Sequence, residues 1–441
     1  MHKKVLSLEA CWLPFTSNKE FKEADSPKII TNAEGMYYYS IDNKKILDAH
    51  GGLWCCNAGH NRKEIVKAIQ DQAARLDFVP SYQMTHPGTA LLANKLVALL
   101  SNNLQYAFFS NSGSEAVETA LKIALAYWEK KGKKGKKILI GRDRAFHGTG
   151  FGGMSVGNIA VTKNQFNKFL PDVLHLSNTH DLKRNAFTKG EPEHGLELAN
   201  ELLDMIDKHG ADQIAAVILE PVSGTGGVLI PPVGYLKKIR EICTEHDILL
   251  IFDEVITGFG RLGKPFASNY YNVEPDLMCL AKGLTSGTVP MGATMINKDI
   301  YKVFVDGTKG IELYHGYTYS GHPLACAAAR ATIALYEREG LLNLDPQLLL
   351  YWEEALHSLK GQRYIIDIRN IGLLGAIEFE PIPNRPSSRA MKIFTTLYKR
   401  HNCYVRVTGG DIIALAPPLI INKQEIDKII SSIKEVVTTI D

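Results

Sequence analysis

The sequence predicts an α/β protein with a large doubly wound sheet domain and a smaller α+β domain. Between residues 60 and 330, apolar runs of strand length alternate with amphipathic helical segments. The runs are apolar throughout rather than alternating in polarity, which is typical of parallel strands buried on both faces. After residue 330 the pattern changes to shorter strands and helices, which indicates a second, smaller unit.

The elements of the large domain follow in a regular order along the chain. Five apolar runs predict strands at 105–109, 137–140, 214–219, 248–252 and 276–280. Amphipathic patterns predict helices at 114–131, 196–209 and 234–246. Strands that alternate with helices in this way form parallel sheets with helices on both faces.

The two ends of the chain are predicted to share the smaller domain. The first segment, 1–59, is interpreted as an irregular arm followed by short strands, with a polar turn at Asn43 and Lys44. The last segment, 331–441, continues a long helix that starts at the small residues from Ala325. It then carries predicted strands at 365–369, 373–379, 403–407 and 412–416 and helices at 387–401 and 423–439. We therefore predict a large domain at 60–330 and a discontinuous small one.

Composition excludes several classes of function. The 441 residues carry a net charge of +3, with 45% hydrophobic and 22% charged residues, so neither nucleic acid nor a membrane is expected as a partner. The seven cysteines show no zinc-ligand spacing, which favours reduced thiols, a cytoplasmic protein and no metal. The basic run Lys130–Lys137 is either a polyanion patch or a solvated helix end and loop, and the second interpretation is favoured.

Two reactive side chains directly follow predicted strands. Asp253 ends the apolar run ILLIFD, and such a carboxylate can either cap a loop or hold a protonated pyridine nitrogen. Lys282 follows the next strand, about thirty residues later. A lysine there can be an ordinary surface residue, or it can be desolvated and become nucleophilic toward an aldehyde. Ligands of open α/β sheets gather at the carboxyl ends of the strands, where both residues are expected.

Two further segments fit the same interpretation. Ser112, Gly113 and Ser114 connect a strand to a helix, where free N–H groups can bind a phosphate. The same serine can instead form a capping box with Glu115, and the two interpretations are compatible. In the segment RAFHG, Phe146 and the neighbouring His147 can flank a flat ring, although an aromatic residue alone is more often core.

These motifs together resemble the class III, subgroup II aminotransferases, which have the fold-type I architecture with a mixed or parallel seven-stranded sheet. The resemblance covers nearly the whole chain. It rests on NSGSEA, FHG, ILEPVSGTGGV, LLIFDEVITGFGRLG, LAKGL and GYTYSGHPLACAAA in this order. Other stretches resemble the ω-amino acid–pyruvate aminotransferases, also called β-alanine–pyruvate aminotransferases. These stretches are LEACWLPFT, PPVGYLKKIREIC, VPMGATM and YVRVTGGDIIALAPPL.

The resemblance implies pyridoxal 5′-phosphate as the cofactor and assigns residues to it. Lys282 would carry the cofactor as a Schiff base and shuttle the proton during catalysis. Asp253 would pair with the pyridine nitrogen, and Glu220 would help to orient the groups around it. Phe146 and Val255 would cover the two faces of the ring. The resemblance therefore makes Lys282 and Asp253 the expected catalytic residues.

The resemblance also implies a second subunit. Ser112, Gly113 and Ser114 would hold the phosphate, and Thr318 would reach the phosphate of the neighbouring subunit's cofactor. A homodimer would then be the smallest active form, and a homotetramer is the other expectation.

A further set of residues is implied for the substrate. Arg406 would bind a substrate carboxylate bidentately and swing away for an apolar substrate or an amine. Trp54, Leu53, Trp12 and Tyr82 would line the pocket.

The sequence departs from the family pattern at three positions. Phe146 stands where many members have Tyr, which removes a hydroxyl contact. Ser223 stands where many users of glutamate or ornithine have Gln, which argues against the ornithine and 4-aminobutyrate–glutamate branches. Gly283 follows the lysine where close members can carry a polar residue, which leaves the polarity of the pocket open.

The expected reaction moves an amino group from an ω-amino acid such as β-alanine, or from an amine, to pyruvate. The products would be a semialdehyde or ketone and L-alanine, formed in a ping-pong mechanism. Three alternatives stay open at this point. The first is another donor, such as a diamine, 4-aminobutyrate, taurine or the adenosylmethionine of biotin synthesis. The second is an aminomutase, racemase or decarboxylase on the same fold, and the third is a non-catalytic binding or structural protein.

Overall fold

The computed structural model describes residues 7–24, 28–100, 103–167, 169–307 and 309–440. The strands of this part of the chain are β1 Ile30–Glu34, β2 Tyr37–Ser40, β3 Lys45–Asp48, β4 Leu104–Ser110, β5 Ile138–Arg142, β6 Val173–Leu176, β7 Ile214–Leu219, β8 Leu249–Asp253, β9 Leu277–Leu280, β10 Gly292–Asn297, β11 Ile365–Ile371, β12 Leu374–Phe379, β13 Cys403–Tyr404, β14 Arg406–Thr408 and β15 Ile412–Leu415. The α-helices are α1 Asn18–Glu23, α2 Gly51–Trp54, α3 Lys63–Arg75, α4 Pro87–Leu99, α5 Gly113–Lys130, α6 Phe151–Val156, α7 Ala160–Phe166, α8 Leu182–Asn185, α9 Glu201–His209, α10 Tyr235–Glu245, α11 Ala267–Tyr271, α12 Lys298–Val305, α13 Pro323–Arg338, α14 Pro346–His357, α15 Ser388–His401 and α16 Lys423–Thr439.

The large sheet has seven strands in the order β4-β10-β9-β8-β7-β5-β6. The five strands from β9 to β6 run parallel, whereas β10 is antiparallel to both of its neighbours. The predicted α/β class, the mixed seven-stranded sheet and the five predicted strands are therefore confirmed. Strands β6 and β10 were not predicted from the sequence, because β6 has only four residues at the sheet edge and the apolar residues of β10 are interrupted by Gly292, Thr294 and Asn297.

Helices cover both faces of this sheet, as the apolar character of its strands requires. In β8, Ile251 packs into the core beneath α5, and Leu250 packs on the opposite face beneath α9 and α10. Both side chains are fully buried. Full burial of such a side chain contributes about 1.5–3 kcal/mol, so β8 is held firmly on both faces. The predicted helix 196–209 consists of a 3₁₀ turn, Leu196–Asn200, followed by α9.

Two smaller four-stranded sheets contain the remaining strands, in the orders β1-β2-β3-β13 and β11-β12-β15-β14. The first sheet joins strands from both ends of the chain, because β13 pairs in parallel with β3. The single strand predicted at 403–407 is wrong. Tyr404 pairs with Asp48 in one sheet and Arg406 with Ala414 in the other, with the buried Val405 between them. A continuous apolar pattern does not reveal such a change of partner.

The basic run Lys130–Lys137 forms a helix end and a loop, as predicted, but one of its lysines is buried rather than solvated. Helix α5 ends at Lys130, and most of the following lysines are exposed. Lys136 is buried, lies 4.4 Å from the centre of the Trp128 ring and donates to the backbone carbonyls of Ala211, Ile214 and Asp247. The lysine therefore ties the loop to the sheet. All seven cysteines are free. Within the described ranges, no helix has both the length and the apolar character that crossing a bilayer requires.

Candidate active site

A cavity of about 710 Å³ lies at the carboxyl ends of the central strands. Asp253 is the last residue of β8, Glu220 follows β7, and Lys282 comes two residues after the end of β9. Parallel strands bring these ends to one edge of the sheet, which is where ligands of this architecture bind. Eleven of the residues predicted from the sequence line the cavity, namely Leu53, Trp54, Gly113, Ser114, Phe146, His147, Glu220, Asp253, Val255, Lys282 and Arg406.

Asp253 is held in a fixed orientation at the floor of the cavity. Its Oδ2 accepts a hydrogen bond of 2.8 Å from Nδ1 of His147, and its Oδ1 accepts one of 3.1 Å from the backbone N–H of Val255. Asp253 is 5% exposed, and His147 is buried. Because both oxygens have partners, the carboxylate cannot rotate freely. Asp253 can therefore present a fixed negative charge to a cationic group in the cavity.

Glu220 fixes two backbone segments beside Asp253. One carboxyl oxygen accepts from the backbone N–H of Phe146, and the other accepts from that of Gly224, both at 3.0 Å. Burial raises the pKa of Glu220, and the negative charge of Asp253 raises it further, whereas His147 lowers it. Glu220 thus holds Phe146 at the cavity wall. The orienting role predicted for it toward the groups around Asp253 stays a prediction.

Lys282, two residues after the end of β9, occupies an unusual backbone position. Its φ angle is +45°, in the left-handed region that non-glycine residues rarely adopt. A short 3₁₀ turn, Lys282–Thr285, starts at this residue. Within the part of the chain that the structure describes, the Lys282 ammonium makes no hydrogen bond or ion pair. A half-buried lysine on a strained backbone, free to react in a cavity, has the character of a functional nucleophile.

The start of α5 provides room for an anion. Ser112 caps the helix through a 3.2 Å hydrogen bond from the N–H of Glu115. The Glu115 carboxylate accepts from the backbone N–H of Asn111 at 2.7 Å rather than from that of Ser112, so only half of the predicted capping box forms. The first N–H groups of a helix have no partner inside the helix, and Gly113 and Ser114 carry two of them. A Cβ on Gly113 would lie 3.0 Å from both γ-carbons of Val255. Glycine therefore lets the backbone approach the cavity closely.

The outer part of the cavity contains residues that the sequence analysis missed. They are Phe15, Arg144, Gly148, 158–162, Thr225, Gly226, Ile256, Pro386, Ser387 and 407–410. Arg144 donates to the carbonyl oxygen of Gly226 at 2.6 Å and has a left-handed φ of +63°. These residues come from segments far apart in the chain. Several belong to stretches already singled out in the sequence, such as Arg144 and Gly148 in RAFHG, Thr225 and Gly226 in ILEPVSGTGGV and 407–410 in YVRVTGGDIIALAPPL, but those stretches gave no sign that these residues line the cavity.

Four of the predicted residues do not line the cavity of the single chain. Trp12 is 90% exposed and Tyr82 is 58% exposed. Thr318 is also exposed, and Ser112 faces the start of its own helix. Their predicted contacts with cofactor or substrate stay predictions.

The two unusual positions of the motifs, Ser223 and Gly283, also lie outside the cavity. The Ser223 hydroxyl accepts a 2.9 Å hydrogen bond from the buried Arg142. A Cβ on Gly283 would lie 2.8 Å from the side-chain nitrogen of Asn57, so this position has no space for a polar side chain. The polarity of the cavity is therefore set by other residues.

The match to known proteins extends over the whole architecture. The family model for class III aminotransferases matches residues 21–437, and the chain belongs to this family. It is 50% identical over 435 residues to an omega-aminotransferase of Caulobacter vibrioides, with 98% of each chain covered. It is 43% identical to an omega-amino acid–pyruvate aminotransferase of Pseudomonas putida, covering 98% of this chain and 96% of that protein. An omega transaminase of Pseudomonas jessenii solved with PMP has a TM-score of 0.91 at 32% identity, covering 97% and 96% of the two chains.

The chain is thus a pyridoxal-phosphate-dependent aminotransferase. Similarity to named aminotransferases over almost the full length disfavours the aminomutase, racemase, decarboxylase and non-catalytic alternatives. The cavity fits the cofactor, since Lys282 offers an amine to its aldehyde and Asp253 a fixed carboxylate to its ring nitrogen. Gly113 and Ser114 offer free N–H groups to its phosphate.

Proposed function

We propose that this aminotransferase moves the amino group of an ω-amino acid such as β-alanine, or of an amine, to pyruvate. The observation that carries the proposal is Arg406, which lines the same cavity as Lys282. Within the described residues, Arg406 forms no ion pair with a carboxylate of the protein. An arginine in this position can bind the carboxylate of pyruvate or of an ω-amino acid bidentately. Similar proteins that are omega-amino acid–pyruvate and beta-alanine–pyruvate aminotransferases support the same substrate class.

The chain's own residues supply the proton transfers. Pyridoxal phosphate, when bound, supplies an electron-accepting ring that stabilises negative charge on the substrate carbon. Nζ of Lys282 would take the proton from the carbon that bears the amino group and return it on the other side of that nitrogen, at C4′ of the cofactor, which is general base and then general acid catalysis. Asp253 holds a proton on the ring nitrogen, because its negative charge stabilises the cationic form. His147 keeps Asp253 oriented through the 2.8 Å hydrogen bond.

Other residues bind and orient. Phe146 and Val255 would cover the two faces of the ring, and Ser112, Gly113 and Ser114 would bind the phosphate. Leu53 and Trp54 would shape the substrate pocket, together with Arg406 for carboxylates.

We also propose a homodimer as the smallest active form. Thr318 is exposed on the single chain, which fits a role in the neighbouring subunit's site. Tyr82 lies beside this segment, since a Cβ on Gly316 would be 3.4 Å from its ring. Trp12 is exposed in the same way and would contact substrate in the assembled protein. The domain boundaries at 59/60 and 330/331, a tetramer and a cytoplasmic location stay predictions.

A panel of amino donors with pyruvate tests the substrate proposal. The purified holoenzyme is incubated with pyruvate and β-alanine, 4-aminobutyrate, a diamine, taurine or an aromatic amine, and L-alanine is measured. We expect L-alanine with β-alanine or an amine. If no donor gives L-alanine from pyruvate, while another keto acid is aminated, pyruvate is not the acceptor and the proposal is contradicted. Substitution of Arg406 by Leu should raise KM for pyruvate by about ten-fold or more, since a bidentate charged contact is lost.

A further inference from the structure

His50 is a fully buried histidine in the wall that supports the outer part of the cavity. The chain holds it between two sheets. The N–H of its neighbour Ala49 donates to the carbonyl of Tyr404, and the carbonyl of Ala49 accepts from the N–H of Ala416. The imidazole ring lies 4.1 Å from the ring of Trp54, centre to centre, and Trp54 lines the cavity. The histidine ring is therefore placed rigidly behind the substrate pocket.

The hydrogen bonds of His50 fix which ring nitrogen carries the proton. Nδ1 lies 3.1 Å from the carbonyl oxygen of Ala414. Because a carbonyl oxygen only accepts, Nδ1 must donate. Burial lowers the pKa of His50 well below its usual value, and the charge of Arg406 lowers it further. The ring is thus neutral, and Nε2 is a hydrogen-bond acceptor.

This acceptor has no partner within the described part of the chain. Nε2 of His50 is buried without a hydrogen bond, and so is the indole N–H of Trp54 beside it. A buried polar atom without a partner is costly and calls for a specific explanation. A neutral imidazole can accept a hydrogen bond at Nε2 from a cationic side chain. A protonated imidazole cannot, because both of its ring nitrogens donate.

The strand register places the backbone of Arg406 next to the group that anchors the His50 ring. Arg406 in β14 pairs directly with Ala414 in β15, and the carbonyl of Ala414 is the group that anchors the His50 ring. Arg406 also has the largest effect of any charged side chain on His50, ahead of Arg261 and Lys282. The guanidinium has five N–H donors, and a bidentate carboxylate uses two of them, so donors remain for a second acceptor.

We propose that His50 is a positioning residue for Arg406: Nε2 of His50 accepts a hydrogen bond from the Arg406 guanidinium when a substrate carboxylate is bound. The histidine then holds the guanidinium in the orientation that binds the carboxylate. Carboxylate-free substrates gain nothing from this contact. His50 thus sets the preference for keto acids and amino acids over aldehydes and simple amines. The inference rests on the carboxylate-binding role proposed for Arg406.

Three substitutions separate the acceptor from the packing of the ring. His50→Asn keeps a donor near the carbonyl of Ala414 and removes the acceptor at the position of Nε2. His50→Gln can place an amide oxygen near that position, and His50→Leu removes both polar atoms. His60→Asn is the matched control, because His60 is also buried in this region but bonds Asp48 at 2.8 Å.

The test compares KM for pyruvate with KM for propanal, using one amine donor and the holoenzyme. We expect KM for pyruvate to rise about ten-fold in His50→Asn and His50→Leu, since a hydrogen bond to a charged group is lost. KM for propanal should stay unchanged, and His50→Gln and His60→Asn should remain near wild type. Calorimetry should show the same loss for propionate, which binds through its carboxylate without reacting. In an Arg406→Leu background, His50→Asn should have no further effect.

Several results would overturn the inference. An equal rise of KM for pyruvate and propanal would mean that His50 only packs against Trp54. An unchanged KM for pyruvate in His50→Asn would contradict the positioning role. An equal rise of KM for pyruvate in His50→Gln and His50→Asn would also contradict it. If His50→Leu does not fold, the Asn and Gln variants decide. If Arg406→Leu itself leaves KM for pyruvate unchanged, the proposed role of Arg406 fails, which is a different outcome from the failure of His50 alone.

Discussion

The inner and outer ends of the cavity are built in different ways. At the inner end, the carboxylates of Asp253 and Glu220 are buried, and every oxygen of the two groups accepts a hydrogen bond from a defined partner. At the outer end, Phe15 and Val161 are about three-quarters exposed. The inner end is therefore arranged before any ligand binds, whereas the outer end presents a surface that different substrates can contact.

This difference suggests that the inner end carries out proton transfer and that the outer end determines which substrates are accepted. Proton transfer to and from a carbon requires groups held within a fraction of an ångström, which buried hydrogen-bonded side chains provide. Discrimination among amino donors requires only modest differences in contact, which exposed apolar side chains and Arg406 provide. Substitutions at the inner end should therefore affect all substrates, and those at the outer end only some.

The largest effect should come from Asp253→Asn. The amide has nearly the shape of the carboxylate but no negative charge, so it cannot hold the ring nitrogen in its cationic form. We expect kcat to fall about 100-fold or more with every donor, the size seen when one electrostatic contact is removed from an active site. Steady-state kinetics with β-alanine and with a simple amine measure it. A loss confined to one donor would contradict the division between the two ends.

Glu254, the neighbour of Asp253, should make stability depend on pH. It is fully buried and accepts from the N–H groups of Ala267 and Ser268 at 2.6 and 2.8 Å. Burial raises its pKa from 4.5 to about 7. A raised carboxyl pKa means that the stabilising contribution is present below pH 4.5 and is lost as the pH rises through 7.

The Glu254→Gln variant measures this contribution. Relative to the variant, wild type should lose about 3 kcal/mol in its free energy of unfolding between pH 4.5 and 8, from 1.36 kcal/mol per pKa unit. Denaturant unfolding of both proteins at several pH values gives the difference. Parallel pH curves would show that Glu254 does not titrate in this range.

The two ends of α5 offer a matched pair of glycines. Gly113→Ala would place a Cβ against Val255 at 3.0 Å, so we expect the dissociation constant for pyridoxal phosphate to rise about ten-fold. Gly132→Ala puts a Cβ into open space but at a φ of +73°, so it should cost about 1 kcal/mol of stability and leave cofactor binding unchanged. Cofactor titration followed by absorbance distinguishes them. An equal loss of cofactor affinity in Gly113→Ala and Gly132→Ala would contradict a specific role of Gly113 in cofactor binding.

The smallest effect is expected at the outer end. Phe15→Ala removes an exposed ring from the cavity wall and should change kcat/KM for bulky amines by roughly two-fold, as exposed substitutions usually do. Cofactor affinity and activity with β-alanine should not change. A large loss with β-alanine would show that the outer end takes part in the chemistry.

The sequence was most informative where a residue follows directly from its strand. Asp253 and Lys282 could be placed because parallel strands end at one edge of the sheet, and their positions along the chain determine their positions in space. Phe146, His147 and Glu220 also follow strands of this sheet, but Glu220 was predicted only from the family resemblance, and RAFHG carried weight only together with the other motifs.

The sequence was least informative where distant segments meet. Phe15, Thr162 and Ser387 lie at the cavity only because of packing between parts of the chain that share no local pattern. The change of sheet between Tyr404 and Arg406 was missed for the same reason, although it places Arg406 opposite Ala414, whose carbonyl accepts a hydrogen bond from His50. Residues such as Thr318 and Trp12 depend on contacts beyond the single chain, and their roles stay predictions.

Peptide mapping after borohydride reduction tests the central role of Lys282 most directly. Reduction of the holoenzyme makes the bond between lysine and cofactor permanent, and digestion followed by mass spectrometry locates it. We predict a phosphopyridoxyl group on the peptide that contains Lys282, and none after the enzyme has first been converted by β-alanine without pyruvate. Attachment to another lysine, or no attachment in an active preparation, would contradict the account.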